Sequence, residues 1–296
     1  MSDDATISIS VILPVYNGGH ELLISVRSIL DQSFHDWQLI IIDDGSVDGS
    51  IEQLVLIKDK RLTIYRNDRN YGIAHSLNTG IDLAVGKYIA RMDHDDVCHP
   101  KRLEIQYNFL EENHDVDLVG SNYVLLESDN SIKRKIKTPE KHEDITSRPW
   151  LGFALAHPTW MARSSWFKNN KYKYPGPYYT EDAELLLRTY KRCKFNVIQE
   201  DLLLYKHSNK NYFKMFKVRV SHLLEQLIFF KSNWDYNFLL FPILLFPLHV
   251  IKDFLNFDTS QGGVFRRSKF ENSQITEAER DFWNARLNKL HADENS

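Results

Sequence analysis

Four short apolar runs in the first hundred residues alternate with amphipathic segments, and this alternation leaves the chain few folds to choose from. Ile7 to Val15, Trp37 to Ile42, Arg61 to Tyr65 and Gly86 to Met92 each read as a strand. Apolar residues recur at helical spacing from Glu21 to Leu30 and from Ile73 to Val85. Strands connected in this way make a largely parallel sheet with helices on both faces. Such a sheet binds ligands beyond the carboxyl ends of its strands. Three of the runs end in polar loops: Pro14-Val15-Tyr16-Asn17-Gly18-Gly19, Asp43-Asp44-Gly45-Ser46 and Asp93-His94-Asp95-Asp96.

The third loop is the most specific of these. Three carboxylates within four residues repel one another at neutral pH, and a divalent cation between them relieves the repulsion. Oxygen ligands alone favour Mg²⁺ or Mn²⁺ over zinc. The competing reading is an acidic turn that caps the helix starting near Pro100. Zinc held by His94, Cys98 and His99 fits no usual structural spacing and lacks a fourth ligand.

A chain of 296 residues with 43% hydrophobic content can bury a sizeable core by itself. Its net charge of -3 gives no general attraction for nucleic acid. The two cysteines, Cys98 and Cys193, stand far apart and point to a reducing compartment. No signal peptide is expected ahead of the first strand.

Beyond the third loop, Lys101 to Asn113 reads as a helix and Asp117 to Leu126 as a further strand of the same sheet. The basic run from Lys133 to Lys137 suits either a solvated face or a grip on phosphate. Thr180 is placed to cap a helix opening Glu181-Asp182-Ala183-Glu184. Phe195 to Tyr205 reads as the last strand. Tyr212 to Phe230 then mixes basic and apolar residues, and Tyr236 to Ile251 is uncharged, apolar and interrupted by Pro242 and Pro247. The second run is shorter than the ~20 residues a crossing helix needs. With Trp234, Tyr236 and the basic residues Lys214, Lys217, Arg219, Lys231 and Lys252 around it, it suits a membrane interface. The alternative is a helical hairpin packed on the sheet. The expected division is residues 1–209 as the catalytic domain and 210–296 as a helical, membrane-associating region.

Taken together, the loops describe a pocket for a nucleoside diphosphate. Tyr16 can stack on a base, Asp43 or Asp44 can accept from a base N–H or a ribose hydroxyl, and the acidic cluster can hold a metal over the diphosphate. Neither a GxxxxGK[ST] nor a GxGxxG loop is present.

These motifs, in this order, resemble the inverting family 2 glycosyltransferases, which have the GT-A nucleotide-diphospho-sugar transferase fold. Ser10 to Asn17 is similar to that family's opening strand, and Ile42 to Ser50 to its nucleoside-holding loop. Asn70-Tyr71-Gly72 with Asn78 and Gly80 is similar to its next signature, Gly86 to Asp96 to its metal-binding strand with the DxD pattern, and Glu181-Asp182 with Leu187-Arg188 to its ED motif. The resemblance runs from about Ser8 to Asn209. It implies that Pro14, Tyr16 and Asp43 or Asp44 contact the nucleoside, Asp93 the ribose, and Asp95 the metal with Asp96 in support. It implies Asp182 as general base beside Glu181, His207 on the diphosphate or metal, and His157 near the sugars, where a core histidine is the alternative. The family often carries Arg just before the Asn at position 78; Leu77 stands there, which weakens the case for uracil.

The resemblance further implies Mn²⁺ or Mg²⁺, a UDP-sugar donor, and a β-linked hexose passed to a polyprenyl-diphosphate-linked saccharide. The setting would be bacterial O-antigen or capsule synthesis at the inner face of the cytoplasmic membrane. Two other classes compete: a nucleotidyltransferase on a similar sheet, and a module that binds a nucleotide sugar without turning it over.

Overall fold

The first strand is buried along its whole length, which is why it carries no polar face. In the computed structural model β1 (Ile9–Val15) lies between β2 (Trp37–Asp43) and β4 (Tyr88–Arg91), parallel to both, with β3 (Leu62–Arg66) beyond β2. The structure describes residues 7–127, 129–176, 180–206, 212–233, 236–255 and 271–292. Successive side chains of a strand point to opposite faces, and here each face is covered. Ile9, Val11, Leu13 and Val15 join Leu22, Val26 and Ile29 of helix α1 (Glu21–Leu30) on one side. Ile12, Ile40 and Ile42 join Leu77 and Ile81 of α2 (Ile73–Leu83) on the other. Gly80 is what lets α2 approach so closely, because a Cβ there would lie 2.4 Å from Ile12 Cγ2.

The sheet continues past β4 with reversed polarity. The two-residue β5 (Val97–Cys98) leads into α3 (Arg102–Glu112), followed by β6 (Leu118–Leu126), β7 (Ile132–Lys137) and α4 (His142–Thr146). Next come β8 (Met161–Arg163), α5 (Ser164–Asn169), α6 (Glu181–Thr189) and the long β9 (Phe195–Lys206). β8 lies antiparallel between β4 and β6, and β9 runs parallel to β6 while also pairing with β5. This ties the acidic loop after β4 to the end of β9. Two basic residues of β7 are already paired within the fold: Lys135 pairs with Glu279 at 2.5 Å and lies 3.7 Å from Asp201, and Arg134 pairs with Glu127 at 3.1 Å.

The two following helices are α7 (Tyr212–Ser232) and α8 (Tyr236–Leu255); Trp234, between them, lies outside the described residues. Contrary to the expected interruption, α8 runs through both Pro242 and Pro247. Each proline removes a helical hydrogen bond, but side-chain packing offsets the loss. Trp150 stacks on Phe238 and Phe241 at centroid distances of 5.0 and 4.7 Å, and Phe230 of α7 is fully buried in the core beneath α2 and α6. The hairpin therefore packs on the domain along one side. Its other side leaves Leu240, Leu244, Leu248 and Ile251 more than half exposed.

Two further expectations are corrected here. β9 is not the last strand, and residues 210–296 do not form one appended region. β10 (Glu271–Gln274) pairs antiparallel with β7, and α9 (Glu277–Ala292) returns to the sheet. Trp283 and Leu290 of α9 share a core with Ile24, Val97, Val124 and Leu204. Arg286, itself buried, reaches Asp31 and the carbonyl of Ser28 at the end of α1.

Candidate active site

The carboxyl ends of β1, β2 and β4 lie along one edge, and their loops are fastened to each other before any ligand is considered. The loop after β1 donates to the loop after β2: Asn17 N to Ser46 Oγ at 2.9 Å and Gly19 N to Asp48 Oδ2 at 2.9 Å. Val47 N returns a bond to Asn17 Oδ1 at 3.0 Å, and Asn17 takes a positive φ of 53° to make the turn. Pro14 is buried behind this turn, whereas Tyr16 is 46% exposed, as a residue that stacks on a planar base must be.

Asp43 and Asp44 do different work. Asp43, the last residue of β2, is fully buried; Oδ1 accepts from Ser46 N at 2.8 Å and Oδ2 faces Arg66 Nε at 3.0 Å. Asp44 braces the next loop, accepting from Asn67 Nδ2 at 2.7 Å, Tyr71 N at 3.0 Å and Gly72 N at 2.7 Å. Gly72 sits at φ 92°, which a side chain would resist. The signature Asn70-Tyr71-Gly72 is thus held in place by Asp44. Asn78 acts similarly, bonding both the N–H and the carbonyl of Tyr172 at 3.0 and 2.8 Å.

At the end of β4 the three carboxylates come together. Asp93, Asp95 and Asp96 each offer an oxygen, and these oxygens all lie within 4.8 Å of one another. Asp96 is 1% exposed; its Oδ1 accepts from Lys206 N at 2.8 Å, and its Oδ2 is buried with no hydrogen-bond partner among the described residues. Burial first, then the charges of Asp93 and Asp95, hold the Asp96 carboxyl well above the usual range, and burial with Asp93 raises Asp95. An orphaned buried carboxylate oxygen beside two others fits a divalent cation such as Mg²⁺ or Mn²⁺. The zinc alternative has no such support: Cys98 lies against Met92 and Arg102, and His99 packs on Phe282 and Trp283.

Across from the cluster, α6 presents Glu181 and Asp182 in its first turn behind Thr180. Glu181 is 7% exposed, and burial followed by the Asp182 charge pushes its pKa up to about 7. Asp182 accepts from Ala183 N at 2.7 Å. His157 lies buried behind this pair, with Nδ1 3.8 Å from Glu181 Oε1 and Nε2 2.7 Å from the Tyr172 hydroxyl. Burial and the Arg91 charge hold His157 well below its ordinary pKa, so it stays neutral. It is a buried histidine packed against the acidic pair. His207 lies outside the described residues.

The charge that joins the two halves is one the motifs did not single out. Arg91, 3% exposed, pairs with Asp93 and acts on the charge of Asp96, while Glu181 feels both Arg91 and Asp93. A lone Arg in an otherwise apolar strand is the signal that could have revealed it. Tyr172, whose hydroxyl burial holds well above its ordinary pKa, was missed because it sits between motifs.

Residues 10–170 match the profile of Glycosyl transferase family 2. The chain belongs to glycosyl transferase family 2. An uncharacterised glycosyltransferase of Methanocaldococcus jannaschii is 33% identical over 243 residues, covering 76% of this chain and 79% of that protein. The Escherichia coli UDP-Glc:alpha-D-GlcNAc-diphosphoundecaprenol beta-1,3-glucosyltransferase WfgD is 32% identical over 133 residues, covering 45% of this chain and 52% of its own length. Among solved structures, residues 1–349 of S. aureus TarS in complex with UDP superpose with a TM-score of 0.56 at 16% identity, covering 96% of this chain and 80% of that one. At that identity the likeness speaks for the fold alone, the GT-A fold. As a family 2 glycosyltransferase, the chain is set apart from the nucleotidyltransferases.

Proposed function

We propose that this family 2 glycosyltransferase moves a hexose from a UDP-sugar to a hydroxyl of a saccharide carried on a polyprenyl diphosphate, with inversion to a β-linkage. The observation that carries this reading is that the Glu181-Asp182 pair lies close enough to the Asp93-Asp95-Asp96 cluster for the charges of Arg91 and Asp93 to act on Glu181. A donor with its diphosphate at the cluster would then present its anomeric carbon to the acidic pair on the opposite side.

Asp182 is read as the general base. It takes the proton of the acceptor hydroxyl, whose oxygen forms the new bond to the anomeric carbon. The old bond from that carbon to the diphosphate oxygen breaks, and its electron pair leaves with UDP. Attack on the face opposite the leaving group inverts the centre. Mg²⁺ or Mn²⁺, held by Asp95 and Asp96 with Asp93, would supply charge stabilisation for the departing diphosphate. Glu181, near half-protonated at neutral pH, keeps a second full negative charge from crowding Asp182. Tyr16 would stack on the base, with Pro14, Asp43 and Asp44 shaping the nucleoside side.

A lipid-linked acceptor is supported by WfgD, whose name specifies a diphosphoundecaprenol substrate. It agrees with the bare apolar side of α8, which would lie in the cytoplasmic face of a membrane. Among the described residues no helix is long and apolar enough to cross one. Incubating the protein with Mn²⁺, a panel of UDP-sugars and a lipid-diphosphate-linked N-acetylhexosamine, and reading products by mass spectrometry, tests the reading. One added hexose on the acceptor is expected; UDP-sugars left intact across the panel, with and without acceptor, would refute it.

A further inference from the structure

His157 is held in place from several directions. It opens a short helical turn, His157–Thr159, that is fastened to its neighbours: Gln106 Nε2 donates to the Thr159 carbonyl at 2.7 Å, and Arg91 N to the Trp160 carbonyl at 2.9 Å. Its ring lies against those of Trp160 and Tyr172, at centroid distances of 4.6 and 5.5 Å. Nε2 is 2.7 Å from the Tyr172 hydroxyl, and Tyr172 is itself pinned through both backbone bonds to Asn78. The other ring nitrogen, Nδ1, faces Glu181 Oε1 at 3.8 Å.

A neutral imidazole carries one N–H and one lone pair, so this geometry serves Glu181 in either protonation state. When Glu181 is ionised, Nδ1–H donates to the carboxylate while the Tyr172 hydroxyl donates to Nε2. When Glu181 is protonated, its O–H donates to Nδ1, and Nε2–H donates to the Tyr172 oxygen. Burial and the Arg91 charge keep the ring neutral, so the lone pair is always available. The 3.8 Å separation is longer than a formed hydrogen bond, as is common at active sites before substrate binds.

The competing partner for a proton on Glu181 is its neighbour in sequence. Carboxyls that share a site tend to share one proton, and a proton shared with Asp182 would occupy the group that must take the hydrogen of the acceptor hydroxyl. The groups acting on Glu181 are Asp182 from its own helix, Arg91 and Asp93 from the end of β4, and His157 with Tyr172 behind it. His157 can accept the hydrogen without drawing on a carboxylate that the site needs ionised. We propose that His157, braced by Tyr172, is a positioning residue that takes the hydrogen bond of the protonated Glu181 carboxyl and so keeps that proton off Asp182. This rests on the reading of Asp182 as general base, and it adds how the base stays ionised beside an acid.

Carbon-13 NMR of the full chain labelled at its glutamate carboxyls tests this without any turnover. EDTA keeps cations off the cluster, and the Glu181 resonance is identified by its loss in Glu181→Gln. In His157→Leu, which keeps a side chain of similar size, the Glu181 midpoint should rise by about one pH unit. The protonated form gains a charge-assisted bond to Asp182, and the ionised form loses its N–H donor. His157→Asn, whose amide can donate or accept from the Nδ1 position, should bring the midpoint most of the way back. Tyr172→Phe should raise it in the wild-type background and leave it unmoved in His157→Leu, because both residues act through one ring. Sugar transfer at saturating substrates and neutral pH should fall about tenfold in His157→Leu, with the KM for the UDP-sugar within about twofold of wild type. That loss should shrink as pH rises past the new midpoint, whereas a merely structural role gives a loss that pH does not change. An unmoved midpoint in either single variant, or a transfer loss constant across pH, would overturn the inference. Hexose transfer by the wild type alongside unmoved midpoints would overturn it while the proposed function stood. Midpoints that move as expected in a protein that transfers no sugar would leave the hydrogen-bond chain standing and remove the function.

Discussion

Arg91 and Asp93, two residues apart at the end of β4, form a two-pronged ion pair: Arg91 Nη1 donates to Asp93 Oδ2 at 2.6 Å and Nη2 to Oδ1. The guanidinium is buried, and the main chain that carries it is held by Arg102, whose Nη2 donates to the Arg91 carbonyl at 2.7 Å. One carboxylate of the acidic cluster is thereby oriented before any cation arrives. The same positive charge also lowers the cost of holding Asp96 and Glu181 nearby.

Arg91→Met should therefore do more than remove a charge. Breaking a buried pair by deleting one partner typically costs about 3–5 kcal/mol, and Asp93, which keeps 23% of its side chain exposed, sets the loss toward the lower end. Urea unfolding of the variant should show a loss of this order. Arg91→Lys should recover part of it, because an ammonium keeps the charge but not the fork. A loss of less than about 1 kcal/mol in Arg91→Met would mean that Asp93 is solvated enough to stand alone.

Asp95→Ala removes a carboxylate that braces no other side chain among the described residues, and so should leave the melting temperature nearly unchanged. Turnover should fall at least about 100-fold if charge stabilisation of the leaving diphosphate is worth several kcal/mol. Titrating Mn²⁺ against donor hydrolysis checks this, and wild-type activity in the variant would remove the metal assignment.

Glu181 makes stability depend on pH. Its folded pKa of about 7 lies above the ordinary 4.5, so the folded state holds the extra proton between these values. Its contribution is fully present below about 4.5 and is lost as pH rises through 7. Glu181→Gln abolishes this dependence. The variant should resemble wild type at pH 5 and be more stable than it at pH 8, by an amount on the order of 1–3 kcal/mol in urea unfolding. Equal differences at both pH values would show that Glu181 titrates normally.

The parallel strands were legible in the sequence because burial on both faces leaves unbroken apolar runs, such as Leu39-Ile40-Ile41-Ile42 in β2. The acidic loop and the Glu181-Asp182 pair were legible because like charges so close together need a reason. What could not be read was long-range. Gln274 pairs with Arg134 from a distant part of the chain, and the four polar residues Glu271 to Gln274 carry no strand pattern of their own. Nor does a pair of prolines reveal that Trp150 will stack against the same helix and that α8 will stay helical.

The return of β10 and α9 changes what a truncation would do. Cutting the chain at Tyr236 removes Trp283 and Leu290 from a core shared with Ile24, Val97 and Leu204, as well as the proposed lipid-facing side of α8. The truncated protein should aggregate. Trp283→Ala alone should cost about 3–5 kcal/mol in urea unfolding, the usual range for a large core aromatic. A soluble truncated protein with wild-type unfolding would show that α9 is only an attachment.

Whether Asp182 takes the proton of the acceptor hydroxyl is tested by Asp182→Asn, because Asn keeps the shape of the side chain and cannot act as a base. UDP binding in Mn²⁺ by calorimetry and sugar transfer to a lipid-linked acceptor should be measured on the same preparation. UDP affinity should stay within about twofold of wild type while transfer falls by about 10²- to 10⁴-fold. Transfer at the wild-type rate would contradict the assignment and move the base to another carboxylate of α6.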